Sequence, residues 1–371
     1  MNDLQKSMNQ QSAAQYNRQQ VLRLLRVNRG LSRVQLSERT QLQNSTMSYI
    51  IRDFINRGVV VEGEKLEGGA GYKKQTSLVV NPGLGWVIGI VVQNVYAELV
   101  KVDYAGEIID SCNFEVDPDI TTLPAYLKNR LENWFKERGC PPGPLKGICL
   151  GLPAIVDHSS GSIKSSSFFN VQNYPIAAEM KSLFPGAEIM IDNDARQAAM
   201  AELVHKDTDS GNFLFYYMNY QKVSKGVKPC SFSSVMFVNG QMLNGANSSA
   251  GELSGVLKPH DPPFLSLEEW DLLQDPDGEL SPSLMSLGLW VLPWLEALSC
   301  YSDPESVVMG GALNWQNKKL FKMINEYLAN RLQTLGKNPI EVRRANSPVQ
   351  SVAYGAASSL LDHLSKELIQ A

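Results

Sequence analysis

No apolar run in the 371 residues approaches the roughly 20 consecutive positions that a membrane span demands. The N-terminal stretch MNDLQKSMNQQSAAQYNRQQ is polar and rich in Gln and Asn, without the apolar segment of a signal peptide. These absences predict a cytoplasmic chain with no membrane partner. Cysteine is scarce as well. Cys112, Cys140, Cys149, Cys230 and Cys300 are scattered, odd in number and form no C-x-x-C pair, which argues against both a disulfide framework and a zinc cluster. What is present suits a soluble globular protein with a sizeable core: 43% hydrophobic and 19% charged residues, and a length sufficient for two or three domains.

The net charge of −4 hides an asymmetry. Residues 1–80 carry 12 Lys/Arg against 6 Asp/Glu, and the remainder 22 against 32. A basic front on an acidic body predicts that the front meets a polyanion. Its helical signals agree. In NRQQVLRLLRVNRG, Val21, Leu22, Leu24 and Leu25 form an apolar face interleaved with Arg23, Arg26 and Arg29, and Gly30 ends it. Ser32 and Gln35 make a capping box that starts a short helix at Arg33, with Val34 and Leu36 as its apolar contacts. After the turn TQLQ, with Asn44 or Ser45 as cap, Met47, Ile50, Ile51, Phe54 and Ile55 recur at helical spacing up to Gly58. Three short helices with a tight turn before the third predict a helix-turn-helix. The third would enter the major groove and present Ser45, Thr46, Ser48, Tyr49 and Arg52 to phosphates and base edges. VVVEGEK and KKQTSLVVN read as two strands around a Gly-rich tip, a wing that carries Lys73 and Lys74. The alternative is a small helical packing unit with a solvated basic face.

Asn81-Pro82-Gly83 reads as a turn and a domain boundary, giving a winged helix-turn-helix over 1–82 and an effector-binding, oligomerising body over 83–371. The body opens on apolar strands joined by DYAGE, as in an antiparallel meander. Strands and helices then alternate: LPAYLKNRLENWFKERG, closed by Gly139, LKGICLGLPAIVD, AEIMIDND, ARQAAMAELVHKD and ESVVMGGAL. A last helix follows in which Gly355-Ala356-Ala357 permits close packing. The expectation is an α/β body of two lobes, each a mixed sheet with helices.

At this point the residues resemble a family. GLPAIVDHSSG is similar to G-x-P-G-x-V-D-x-x-x-G of the ROK family (repressors, open reading frames and sugar kinases). NDARQAAMAE is similar to its N-D-A-N-x-A-A-x-x-E, SSAGELSG to its A-G-E-x-G-H, and VVMGGAL to its Gly-Gly turn. The order and spacing hold from about Asn17 to the end, and the preceding winged helix resembles the repressor branch. The resemblance implies an actin-like, hexokinase-like pair of lobes with sugar in the cleft. It also implies dimers or dimers of dimers, operator DNA as partner, and a sugar or sugar phosphate as effector. Asn193, Asp194, Glu252 and Glu268 would bond sugar hydroxyls. Asp194 can instead cap a helix starting at Ala195, Glu252 can be a solvated loop carboxylate, and Glu268 a helix-start carboxylate.

The kinase machinery of the family is not reproduced. A phosphate cradle needs backbone N–H groups that a phosphate can approach, which usually means glycine. Where ROK kinases carry D-x-G-G-T, Val91 stands at the acidic position and Gln93-Asn94-Val95 replace the rest. The region matching G-T-G-I-G-x-G, MNYQKVSKGVKPCSFSSVMFVNG, has no such glycine run. Gly255 replaces the family's zinc-binding His, no Cys follows, and His260 alone does not make a tetrahedral site. Phe264, Leu265, Leu267 and Trp270 are expected to hold that segment by packing. The expectation is a transcriptional regulator of carbohydrate genes, a repressor, with no catalysis, cofactor or metal. The alternatives are a sugar kinase with an appended DNA module, or a regulator that answers to a protein partner.

Overall fold

The structure is a computed structural model that describes residues 3–66, 75–93, 96–116, 119–205, 211–253, 263–311, 315–346 and 351–370. Three helices open the chain, α1 (Asp3–Val27), α2 (Arg33–Thr40) and α3 (Asn44–Asn56), followed by the antiparallel strands β1 (Val60–Leu66) and β2 (Gln75–Val80). The capping box forms as the residues dictate: the Ser32 hydroxyl accepts from the Gln35 amide at 3.3 Å, and the Gln35 side chain accepts from the Ser32 amide at 2.9 Å. Met47, Ile50, Ile51 and Phe54 turn one face of α3 inward onto Val21, Leu22, Leu25 and Leu36. Some details differ from the sequence reading. Gln41 takes the left-handed turn after α2. Gln43 precedes α3 with no side-chain cap bond, so neither Asn44 nor Ser45 caps it. Val34 is exposed, and α1 ends at Val27, before Gly30. Lys73 and Lys74 lie outside the described residues.

A single 3-10 turn, Pro82–Leu84, leads into the first lobe. This lobe holds β3 (Trp86–Gln93), β4 (Tyr96–Asp103), β5 (Ile108–Glu115), α4 (Leu123–Arg138) and β6 (Leu145–Leu152). The small hairpin strands β7 (Ile155–Asp157), β8 (Ser162–Ser166) and β9 (Val171–Tyr174) follow, then α5 (Ile176–Leu183) and β10 (Glu188–Asn193). After α6 (Asp194–His205) the second lobe adds β11 (Phe213–Val223), β12 (Gly226–Val238), β13 (Gln241–Met242), β14 (Leu265–Ser266), α7 (Leu267–Gln274), α8 (Pro282–Ser302), β15 (Ser306–Gly311), α9 (Lys318–Thr334) and β16 (Glu341–Arg344). The chain ends on α10 (Ser351–Gln370). The sheet orders are β10-β6-β3-β4-β5 and β13-β12-β11-β15-β16. In each, the first strand of the lobe is central, its next two strands continue antiparallel on one side, and its last two lie parallel on the other. The lobes are therefore topological duplicates.

Strand alternation places the core. Trp86, Ile88, Ile90 and Val92 face the outer layer under α4 and α5, while Val87 and Val91 face α6 and α10. Those two helices lie between the sheets. Their contact needs the small residues: a Cβ on Gly355 would stand 1.9 Å from the Gln197 carbonyl oxygen, and one on Gly89 1.8 Å from that of Ala353. The same apolar cluster runs on through Leu361 and Leu364 of α10 into Val21, Leu22 and Leu25 of α1, so the winged helix shares a core with the body. The 21-residue α8 is long and apolar enough to cross a membrane by length and composition, which the sequence reading overlooked. Leu284, Leu287, Val291 and Leu295, spaced three and four apart, bury one side of it in the second lobe, the pattern of a core helix.

Candidate functional site

Two surfaces carry the candidate residues. On α3, Ser45, Ser48, Tyr49 and Arg52 are exposed and Thr46 is half-buried, all opposite the apolar face. Arg52 makes no ion pair among the described residues. The guanidinium of Arg18 lies 5.9 Å from the Tyr49 ring centroid and pairs with Asp53 at 2.5 Å, which supports the exposed face from behind.

Four other arginines of the front turn the other way. Arg23 donates twice to Asp362, at 2.5 and 3.1 Å, and to the Gly240 carbonyl at 2.8 Å. Arg26 is buried, donates to the Tyr104 and Leu361 carbonyls, and lies 3.7 Å from Asp362. Arg29 pairs with Glu107, and Arg57 donates to the Leu368 carbonyl. Part of the basic surplus thus binds the body: Asp362 of α10 offsets the charge of Arg23 and Arg26, Glu107 in the turn after β4 offsets that of Arg29, and Arg57 meets the neutral Leu368 carbonyl of α10.

Between the lobes, β10 and α6 meet in the turn Asp192-Asn193-Asp194. Asn193 sits at the cap: its side-chain oxygen accepts from the Ala195 and Arg196 amides at 2.8 and 3.3 Å. Asp194 is the first helical residue, which shifts the expected cap by one position. Its Oδ1 accepts from the Ala195 amide at 2.9 Å and its Oδ2 from Asn219 at 3.0 Å. The Asn193 side-chain Nδ2 donates to Glu252 at 3.0 Å and to the Ala154 carbonyl at 3.2 Å. Glu252 is fixed by Gly251, which has φ +83°, whose carbonyl accepts from the Ser234 amide, and where a Cβ would stand 1.7 Å from the Ser234 oxygen. Asn193, Asp194 and Glu252 therefore come together. Glu268 does not join them. It is exposed in the first turn of α7, capped by Ser266, and Ser266 pairs with Gly226, roughly 20 Å along β12 from Ser233, the partner of Glu252.

Burial raises Asp194 to about 6 and Glu252 to about 7, the second with help from the Asp194 charge. Both carboxyls bind protons more tightly folded than unfolded. Stability is therefore fullest below the ordinary carboxylate range and is lost as pH rises through about 6 to 7. Thermal midpoints are expected to fall between about pH 5 and pH 8. Glu252→Gln, which keeps an acceptor for Asn193, is expected to flatten that slope and raise the midpoint near pH 8 by about 2–4 °C. A profile identical to the parent chain counts against a buried charge at this position.

The place of the phosphate cradle is filled from both lobes. Gln93 at the end of β3 donates to the Tyr217 hydroxyl on β11, and the Tyr217 ring packs against Gly311. Val91 is buried. Opposite it in antiparallel register, hence on the same face, is Glu98, half-buried and raised by burial to about 7. Asn94 and Val95 lie outside the described residues. The β11–β12 hairpin continues, past one register shift between Asn219 and Tyr220, to a turn at Ser224-Lys225, with strand pairing where the family has a glycine loop. Gly255 and His260 also lie outside the described residues, and among the described residues no three His, Cys, Asp or Glu converge as metal ligands. Leu265 is buried and Trp270 packs edge-on against Tyr220 at 4.9 Å. Phe264 and Leu267, expected to pack with them, are exposed.

Sequence reasoning missed the partners rather than the hooks. The buried Asp192 and Arg196 and the more exposed His158 form a trio beside the turn, with distances of 2.8 Å (His158) and 2.7 Å (Arg196) to the Asp192 oxygen. Burial alone would raise the Asp192 carboxyl, but His158 and Arg196 outweigh it and hold it below the ordinary range. Glu202, in the family-like NDARQAAMAE segment, is buried against Arg343 at 2.6 Å and ties α6 to the end of β16. The i, i+4 spacing of Asp192 and Arg196 was the one local signal available.

Comparisons with known proteins agree with this architecture. Residues 15–61 match the family described as winged helix-turn-helix DNA-binding, and residues 87–256 match the ROK family. The xylose repressor of Caldicellulosiruptor bescii is 26% identical over 243 residues, 64% of this chain and 58% of that protein. The DNA-binding transcriptional dual regulator NagC of Escherichia coli K12 is 22% identical over 244 residues, 65% of this chain and 57% of its own length. The match thus spans less than two thirds of either relative. A solved structure described as a ROK family transcriptional regulator, homologous to the E. coli MLC protein, superposes with a TM-score of 0.69 at 17% identity, covering 97% of this chain and 100% of its own. Ordered motifs, paired 3-2-1-4-5 sheets and a fused winged helix converge: residues 87–256 are a ROK-family region, preceded over residues 15–61 by a winged helix-turn-helix DNA-binding match.

Proposed function

We propose that the chain is a cytoplasmic DNA-binding transcriptional regulator, a repressor of carbohydrate genes, whose body senses a sugar or sugar phosphate without catalysis. One observation carries the reading. The winged helix spends Arg23, Arg26, Arg29 and Arg57 on docking to the body and keeps the polar face of α3 open. That is what a reading head driven by a receptor requires, because an effector acts only through its different affinities for two arrangements of the head. The names of the matched relatives, a xylose repressor and NagC, support a sugar as effector. Asn193, Asp194 and Glu252 supply acceptors for vicinal hydroxyls. A homodimer or dimer of dimers fits paired half-sites on operator DNA.

The second reading, a sugar kinase, rests on Asp194, whose raised carboxyl stands where a proton acceptor would. Against it stands the Gln93–Tyr217 link across the cradle. A coupled ATP assay with glucose, xylose and N-acetylglucosamine is expected to give no turnover above background. Turnover abolished by Asp194→Asn reverses the assignment. Calorimetry with the same sugars is expected to show binding weakened by Asp194→Asn, and silence across the series favours a protein partner as the signal.

A further inference from the structure

A cavity of about 910 Å³ opens where the winged helix meets the body, and none of Asn193, Asp194 or Glu252 lines it. Its volume lies in the range of about 300–1,000 Å³ usual for small-molecule sites. One wall is α1, through Tyr16, Gln19, Gln20 and Arg23; another is α10, through Ser359, Asp362 and Lys366; a third is the Asp192–Arg196 turn with Lys181 of α5. The charges of this lining do not balance once their pairs are drawn. Asp362 is taken by Arg23 and Arg26 and Asp192 by Arg196, while Glu188 lies 3.9 Å from His363, an ion pair only when that imidazole is protonated. Lys181 and Lys366 make no ion pair among the described residues, so with neutral imidazoles two lysines stand against Glu188 alone, a surplus of one positive charge. Arg196 is nine-tenths buried. Its Nε bonds Asp192 and its Nη2 bonds Asn244 at 2.5 Å, yet its Nη1 has no partner among the described residues. Such orphaned buried donors are rare in native structures. The rest of the lining is amide and hydroxyl, including Gln241 and Ser248.

We propose that this cavity is a second ligand site, for a small anionic polyol, and that its occupant ties α1 to the body. The phosphate or carboxylate head sits with Lys181 and Lys366, and the hydroxyls bond the glutamines and serines. The site stands back to back with the interlobe cluster and shares a turn with it: the Asn193 amide donates to Asp192 at 2.8 Å, and the Arg196 amide to Asn193 at 3.3 Å. Occupation of either site therefore acts on the same few hydrogen bonds, and only this one also touches the DNA-reading module.

The test is calorimetry on the full chain in phosphate-free, low-salt buffer, with glucose 6-phosphate, gluconate and neutral glucose as titrants. Saturable binding of an anionic polyol is expected, and whichever of the two binds identifies the head group. Lys181→Gln with Lys366→Gln, both exposed, is expected to weaken that binding about tenfold or more, which is about 1.4 kcal/mol. Two results overturn the proposal: neither anionic polyol binds, or the double lysine variant binds as the parent does and so places the ligand between the lobes.

Discussion

Asp362→Ala is expected to destabilise the chain by about 3–5 kcal/mol, the cost of breaking a buried ion pair from one side. The carboxylate is 13% exposed and is held by Arg23 at 2.5 Å and Arg26 at 3.7 Å, themselves 16% and 7% exposed. Arg26 already has one nitrogen, Nη2, without a partner. Burial opposes its charge, and Asp362 is the leading group that sustains it. Removal of the carboxylate leaves two guanidinium groups in a seam of low dielectric with only carbonyls to meet them. Because α1 and α10 share one apolar cluster, the loss is expected to spread along both helices. Urea unfolding measures the energy, and hydrogen exchange locates it, with protection lost first over Val21–Val27 and Leu361–Leu368. A loss below about 1 kcal/mol, the worth of a surface pair, means that the seam is held by apolar contact alone.

The second large effect is on DNA. Arg52→Ala is expected to weaken duplex binding by about 1–3 kcal/mol, tenfold or more, if Arg52 bonds a guanine or a phosphate. The two cases separate by salt: a phosphate contact lowers the slope of log affinity against log salt by about one, whereas a base contact leaves it unchanged. Folding is expected to be unaffected, because the side chain is exposed and surface changes of this kind stay within about 0.5 kcal/mol. Unchanged affinity with a normal circular dichroism spectrum displaces α3 from the groove.

Much of the architecture was legible because it is written in local periodicity. Trp86–Val92 alternates between two buried layers, Met47–Phe54 repeats at three and four, and Ser32–Gln35 closes a turn on itself. The duplicated sheet order was not legible, since strand pairing is a property of partners far apart in the chain. The arginines show the same limit. Arg23 meets Asp362 across 339 positions, so a local count of charge could not separate the four arginines that dock on the body from those left to meet DNA. At the turn, the residue types were right and their roles moved by one: Asn193 caps and Asp194 bonds Asn219, a distinction set by a single residue of helix boundary. Gln93 was visible as a departure from a motif, but its bond to Tyr217 across the cleft required the fold.

The account rests on a reading head steered by a receptor, and selection from sheared genomic DNA tests it most directly. The full chain, immobilised and washed at moderate ionic strength, is expected to retain a small set of fragments that share paired half-sites, and Arg52→Ala is expected to lose them. Retention of no fragment above the random background, or of the same set by Arg52→Ala, contradicts it.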